Sequence, residues 1–256
     1  MIYFQKQGKN MVEVTTNDLS GVHNIRDLGG IARQSGGYTA HGRIVRACAM
    51  RGLTSDGQRA MRSGLASVID LRTARERAEA PSPFSSTVGI QDIHIPLFSQ
   101  LTPADQAMHD DPDFTLGARY QAALTAAAPR FAEVFDAIAN APEGVVVFHC
   151  TAGKDRTGMI AALLLSLADV TDENIIADYV RTSTDGALFI QKLGEDALSR
   201  GADPRLLATL LATPADAMSG VLKTVSVEFG GAAGYLRAAG LTDATINRAV
   251  DRLIGA

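Results

Sequence analysis

The most constraining feature of this chain is two apolar segments joined by a short polar loop. After Pro142, Gly144, three consecutive valines and Phe148 read as a strand buried on both faces. From Thr157 to Ala168 the chain is apolar again, now over a helical length. Between them lies His149-Cys150-Thr151-Ala152-Gly153-Lys154-Asp155-Arg156. A strand buried on both faces needs covering layers on both sides, which is the demand of an α/β fold. The strand-loop-helix junction also points several backbone N–H groups at one spot beside the positive end of a helix dipole. Phosphate is the natural occupant of such a cradle.

The rest of the chain supplies the layers. Gly42 to Ala47 reads as a strand, Ser55 with Gln58 as a capping box opening a short helix, and Ala66 to Ile69 as a strand with Asp70 at its end. Thr73 and Glu76 form a second capping box, for a helix over Ala74 to Ala80 that Pro81 and Pro83 terminate. Val88 to Ile95 resumes strand character, and Phe114 to Ala139 is helical with a break at Pro129. Beyond Arg156, helices are expected over Thr157 to Ala168, Asp172 to Arg181, Asp185 to Arg200, a segment after Pro204, Pro214 to Phe229 and Asp243 to Ile254. Thr171, Thr213 and Thr242 are the candidate N-caps, with Pro214 at a first helical position. The expected architecture is α/β: a central, mostly parallel sheet of about four or five strands flanked by helices. Residues 1–19 are polar, lack period and read as an N-terminal extension. Residues 20–256 read as one domain in which the helices of 171–230 form a subdomain on the sheet.

Of the 256 residues, 46% are hydrophobic and 20% charged, which suits one ordinary globular domain. Lys and Arg number 24 against 28 Asp and Glu, a net charge of −4 that argues against a nucleic-acid partner. The two cysteines, Cys48 and Cys150, lie far apart and suggest neither a disulfide framework nor a zinc site. The N-terminus carries Lys6 and Lys9 but no apolar signal core, and the longest apolar run, Met159 to Ala168, is too short to span a bilayer. A cytoplasmic monomer with no integral membrane segment is expected, with secretion lacking a signal peptide as the alternative.

A cysteine at the base of the cradle faces amides, a helix N-terminus and a guanidinium, all of which favour the thiolate nucleophile. Arg156 lies six positions after Cys150, where its planar fork can take two phosphate oxygens. The candidate phosphate-binding set is therefore Thr151, Ala152, Gly153, Lys154, Asp155, Arg156 and Thr157.

These residues match the C-x5-R signature of the protein-tyrosine-phosphatase superfamily. The Gly153-Lys154-Asp155-Arg156 wording resembles its bacterial atypical branch of tyrosine and dual-specificity phosphatases, some of which also act on phosphoinositides. His23-Asn24-Ile25-Arg26-Asp27-Leu28-Gly29-Gly30 resembles that branch's N-F-R-D-L-G-G motif, with Ile25 in place of the usual Phe. Val68-Ile69-Asp70-Leu71-Arg72-Thr73 resembles its V-I-D-L-R segment, and Glu228-Phe229-Gly230-Gly231 with Tyr235-Leu236 its Y-G…Y-L segment. The resemblance implies a phosphomonoester hydrolase working through a phosphocysteine, without metal or organic cofactor, on phosphorylated protein or phosphoinositide. It further implies that Thr157 stabilises the departing thiolate and that the helices after 171 act as a lid.

Several assignments stay open on sequence alone. The general acid is Asp155, Asp70 or another carboxylate. Lys154 is either a solvated loop charge or a second cation for a substrate with more than one phosphate. Arg26, Asp27, Asp70 and Arg72 read as ion pairs bracing the loop, and His149 as a loop-ordering hydrogen-bond partner. Cys48 reads as a small buried residue, with a protective disulfide to Cys150 as the alternative. A nucleotide P-loop fails, because no glycine precedes Gly153 by five residues and Asp155 stands where Ser or Thr is needed. The rival functions are a silent phosphate-binding module, a small-molecule phosphatase, and an arsenate reductase or sulfur transferase. The reductase chemistry would want a second nearby cysteine.

Overall fold

A computed structural model describes residues 2–5, 11–14, 19–98 and 114–256. Lys6, Lys9 and His109 lie outside the described residues. The main sheet has five strands in the order β3 (Arg26–Asp27), β4 (Ile44–Ala47), β7 (Val145–His149), β5 (Leu65–Asp70) and β6 (Gln91–His94). Only β3 is antiparallel to its neighbour; β4, β7, β5 and β6 run parallel. The expected mostly parallel sheet is thus present, and β7 is its centre.

The valine run explains that position. Val146 and Phe148 pack into a large cluster with Ile44, Ile69 and most of the helices, while Val145 and Val147 pack into a smaller cluster with Val45, Val68, Met61 and Phe84. The helix Asp155–Leu167 follows directly, and every residue from Thr157 to Leu165 is buried. A helix apolar all round is one enclosed by its neighbours.

Several boundaries differ from expectation for local reasons. The helix Ser55–Arg62 is capped by Thr54, whose side chain accepts from Gly57 N, so Ser55 is the first helical residue rather than the cap. The Thr73–Glu76 capping box forms as read. Helices Leu116–Ala126 and Ala128–Asn140 meet at Ala127, two residues before Pro129, because proline suits a helix's first turn. Thr171 and Thr242 cap their helices, but Thr213 does not; Pro214 is itself the N-cap of Ala215–Phe229. The helix Ala232–Ala238 went unanticipated.

Within the stretch read as an N-terminal extension, β1 (Ile2–Gln5) and β2 (Met11–Val14) pair as an antiparallel ladder, and Ile2 is fully buried in the smaller cluster with Val22 and Ile25. Four-residue strands carry too little alternation to stand out from a tail. Part of the stretch 171–230, read as a subdomain, packs into the large cluster. Ile175, Tyr179, Met218, Val221 and Val225 belong to the large core, so helices Asp172–Val180 and Ala215–Phe229 are part of the body. The remaining stretch holds Thr182–Asp185 and the pair Ala187–Ser199 and Pro204–Leu211. Among the described residues no helix is long and apolar enough to cross a membrane.

Candidate active site

Cys150 follows β7 at the carboxyl end of the parallel strands and is buried. The loop after it is held from outside by its carbonyl oxygens. Thr151 O accepts from Ala49 N at 3.0 Å, and Ala152 O and Gly153 O each accept from the Asn24 carboxamide at 2.9 Å. Gly153 O also accepts from Arg46 Nη2 at 2.6 Å. In a trans peptide the C=O and the following N–H point in opposite directions. With those carbonyls engaged on one side, the N–H groups of Ala152, Gly153 and Lys154 face the opposite, inner side of the loop. Gly153 is required here: its φ is +67°, and a Cβ would sit 2.6 Å from the carbonyl carbon of Ala47.

Behind the loop lies a buried charge network. Arg26 Nε donates to Asp178 Oδ1 at 2.6 Å, Arg46 Nη1 to Asp178 Oδ2, and Arg26 Nη1 to Asn24 Oδ1 at 2.5 Å. Burial works to raise the carboxyl of Asp178, but Arg46 and Arg26 outweigh it and hold Asp178 below the usual range. Burial, then the neighbouring Arg46, brings Arg26 down to about 10. Arg26 thus braces the loop by an ion pair with Asp178, and Asp27 accepts from the backbone of Gly29 and Gly42.

Arg156 is oriented by a residue whose sequence signal was only a helix cap. Glu76 accepts from Arg156 Nη1 and Nη2, each at 2.7 Å, and from the Thr151 hydroxyl and Thr73 N. Burial would raise the Glu76 carboxyl, but Arg156 and these donors bring it to about 2. Arg156 is correspondingly held above its usual value, the Glu76 bonds and the charge of Cys150 overcoming burial.

Two candidates stand in surroundings that the sequence does not show. Asp70, offered as a general acid, is fully buried and accepts from Arg72 N, Nε and Nη2 at 3.0, 2.9 and 2.7 Å. Although burial opposes it, Arg72 and His149 hold its carboxyl below the usual range, and all three of these bonds tie it to Arg72. Lys154, read as a solvated charge or a substrate cation, is buried, and its ammonium donates to Leu210 O and to Ala212 O at 2.5 and 2.8 Å. It ties the loop to the end of helix Pro204–Leu211.

Asp155 is half-buried at the start of its helix and accepts from the Tyr120 hydroxyl, with Lys154 Nζ at 3.1 Å. Thr157 is fully buried, and its hydroxyl has no hydrogen-bond partner among the described residues. His149 Nδ1 meets Cys150 O at 3.3 Å, in line with a loop-ordering role, and burial holds it below its usual value. Cys48 is free and buried in the smaller cluster, whereas Cys150 belongs to the larger one. Burial pushes the Cys48 thiol up to about 12, which suits a packing residue better than a resolving thiol.

A thiol beneath inward-facing amides, faced by an arginine at the carboxyl end of a parallel sheet, defines a cysteine-dependent phosphatase site. Within that class the chain belongs to the tyrosine phosphatase family, whose model matches residues 17–255. It is 34% identical over 195 residues to a tyrosine-protein phosphatase of Nostoc commune, covering 72% of this chain and 65% of that relative; the chain thus spans less than two thirds of the relative's length. It is 26% identical over 282 residues to the triple specificity protein phosphatase PtpB of Mycobacterium tuberculosis, covering 94% and 100%. A crystal structure of TpbA from P. aeruginosa shares 16% identity over 80% of this chain and 93% of that chain, with a TM-score of 0.33.

Proposed function

We propose that this protein hydrolyses phosphomonoesters on phosphorylated proteins, phosphotyrosine first, through a phosphocysteine on Cys150. The observation that carries the reading is the outward engagement of the loop's carbonyls, which turns its amides onto the thiol. A guanidinium has two forked edges, and Glu76 takes the Nη1/Nη2 edge of Arg156. The Nε/Nη2 edge is left for two phosphate oxygens.

In the first half-reaction the Cys150 thiolate attacks phosphorus, the P–O bond to the leaving group breaks, and a carboxylic acid protonates the departing oxygen. We assign that acid to Asp155, since Asp70 is sealed by Arg72. In the second, water attacks the phosphocysteine, and inorganic phosphate and the thiolate are released, with Thr157 beside the loop as the group that steadies the thiolate. The resemblance to PtpB, named a triple specificity protein phosphatase, supports phosphoserine and phosphothreonine as additional substrates. Phosphoinositides rank second, because Lys154 is committed to Leu210 and Ala212. A cytoplasmic monomer is the accompanying expectation.

Turnover of an aryl phosphate in the presence of a chelator tests the reading. Cys150→Ser should release no phosphate yet still bind inorganic phosphate or vanadate; retained turnover would falsify the mechanism.

A further inference from the structure

Buried tyrosines normally satisfy the hydroxyl with a backbone carbonyl, as Tyr235 does with Leu124 O at 2.7 Å. Tyr120 does something else. Fully buried on the helix Leu116–Ala126, it directs its hydroxyl to Oδ1 of Asp155. Its oxygen also lies 3.0 Å from the hydroxyl of Tyr179, which comes from a different helix, Asp172–Val180. The rings meet edge to face, with centroids 6.2 Å apart. Tyr179 reaches this place only because the facing residue is Gly158, where a Cβ would lie 3.0 Å from ring atom Cδ2.

The donors fix the direction of this chain. Tyr120 gives its one proton to Asp155, so its oxygen can only accept from Tyr179, and the order is Tyr179 to Tyr120 to Asp155. Burial, reinforced by the charge of Asp155, holds the Tyr120 phenol well above its usual value, so it remains a donor throughout the working pH range. Lys154 Nζ lies 3.1 Å from the same Oδ1. A carboxyl proton on Oδ1 would point at two donors; on Oδ2 it meets neither.

We infer that Tyr120 and Tyr179 are positioning residues for proton transfer, a buried two-phenol chain that holds Asp155 by Oδ1 and leaves Oδ2 to deliver the proton to the leaving oxygen. This rests on the assignment of Asp155 as the general acid. Both phenols are buried behind Asp155. They act on how well Asp155 is placed, and so on the substrates that need an acid most.

The test is kcat/KM for two substrates, p-nitrophenyl phosphate, whose leaving group needs little protonation, and benzyl phosphate, whose alkoxide needs much. Tyr120→Phe should lose about 10- to 100-fold on benzyl phosphate and about 3-fold or less on the activated ester, a fraction of the ~10²–10⁴ a general acid supplies. Tyr179→Phe should show the same selectivity at a smaller size. Tyr235→Phe, a buried phenol outside the chain, should affect both substrates equally, and thermal melts verify that each variant folds. Asp155→Asn should be selective against benzyl phosphate, and adding Tyr120→Phe to it should cost nothing more. Equal losses on both substrates for Tyr120→Phe, or losses that multiply with those of Asp155→Asn, overturn the inference while the acid assignment stands. An Asp155→Asn variant with no leaving-group selectivity overturns the acid assignment itself, and the inference with it.

Discussion

Under the proposed mechanism a carboxylate beside the phosphate-binding arginine is out of place on charge alone, yet Glu76 is what holds the Arg156 fork rigid. Arginine carries five donors in a planar fork, and fixing one edge presents the other without loss of side-chain freedom on binding. Replacing Glu76 by Gln should lower kcat/KM by about 10²-fold through misplacement of the fork, measured with an aryl phosphate. The same residue sets part of the acid response. Its carboxyl stands at about 2 in the folded protein against an ordinary 4.5. Its stabilisation is therefore complete above pH 4.5 and is lost as pH falls toward 2. Urea titrations across that window should show a shallower pH dependence for Glu76→Gln than for the native protein. Nothing in the sequence pointed to this pairing. Thr73 and Glu76 announce a helix cap, and the cap forms, but the carboxylate's second task depends on residues 75 and 80 positions away. The loop that carries Cys150 and Arg156, by contrast, was legible because strand, loop and helix lie within one short stretch.

At the scale of elements, Lys154 joins the phosphate loop to helix Pro204–Leu211. An ammonium bonded to Leu210 O and Ala212 O answers carbonyls that a helix end leaves unpaired, and its charge suits the negative end of the helix dipole. Lys154→Met keeps the stem and removes the donors. Amide exchange should then quicken across 187–211, while protection in 155–167 is unchanged; identical exchange in both proteins would mean the tether carries no load. The pair of helices was readable from apolar spacing and from Pro204, and Asp203 caps as its position requires. Its attachment was not, since a lysine in a loop gives no sign of the helix end it will meet. The short elements escaped for a related reason. Strand β3 spans two residues and helix Ala232–Ala238 seven, less than a period-based reading resolves.

Across the whole molecule, the network of Arg26, Arg46 and Asp178 draws helix Asp172–Val180 onto the paired strands β3 and β4 at the back of one loop. Two buried cations share one buried carboxylate, with Asp185 3.6 Å from Arg26. Removing that carboxylate leaves charge buried without compensation, a loss of about 3–5 kcal/mol. Asp178→Asn should therefore unfold at markedly lower urea, and weaken vanadate binding even where it remains folded. Unchanged urea midpoints would show the network to be incidental. The sequence marks Arg26 as a brace but not Asp178 as its partner, because an ion pair across 152 positions has no local signature.

Asp178 also follows the nucleophile and the clamp in chain order. A growing chain exposes Cys150 and Arg156 before it can supply the carboxylate on which Arg26 and Arg46 close, and domains assemble as their sequence becomes available. The Cys150 thiol is thus made before the contacts that brace its loop from behind. Under the proposed mechanism, competence waits until Asp178 has met Arg26 and Arg46.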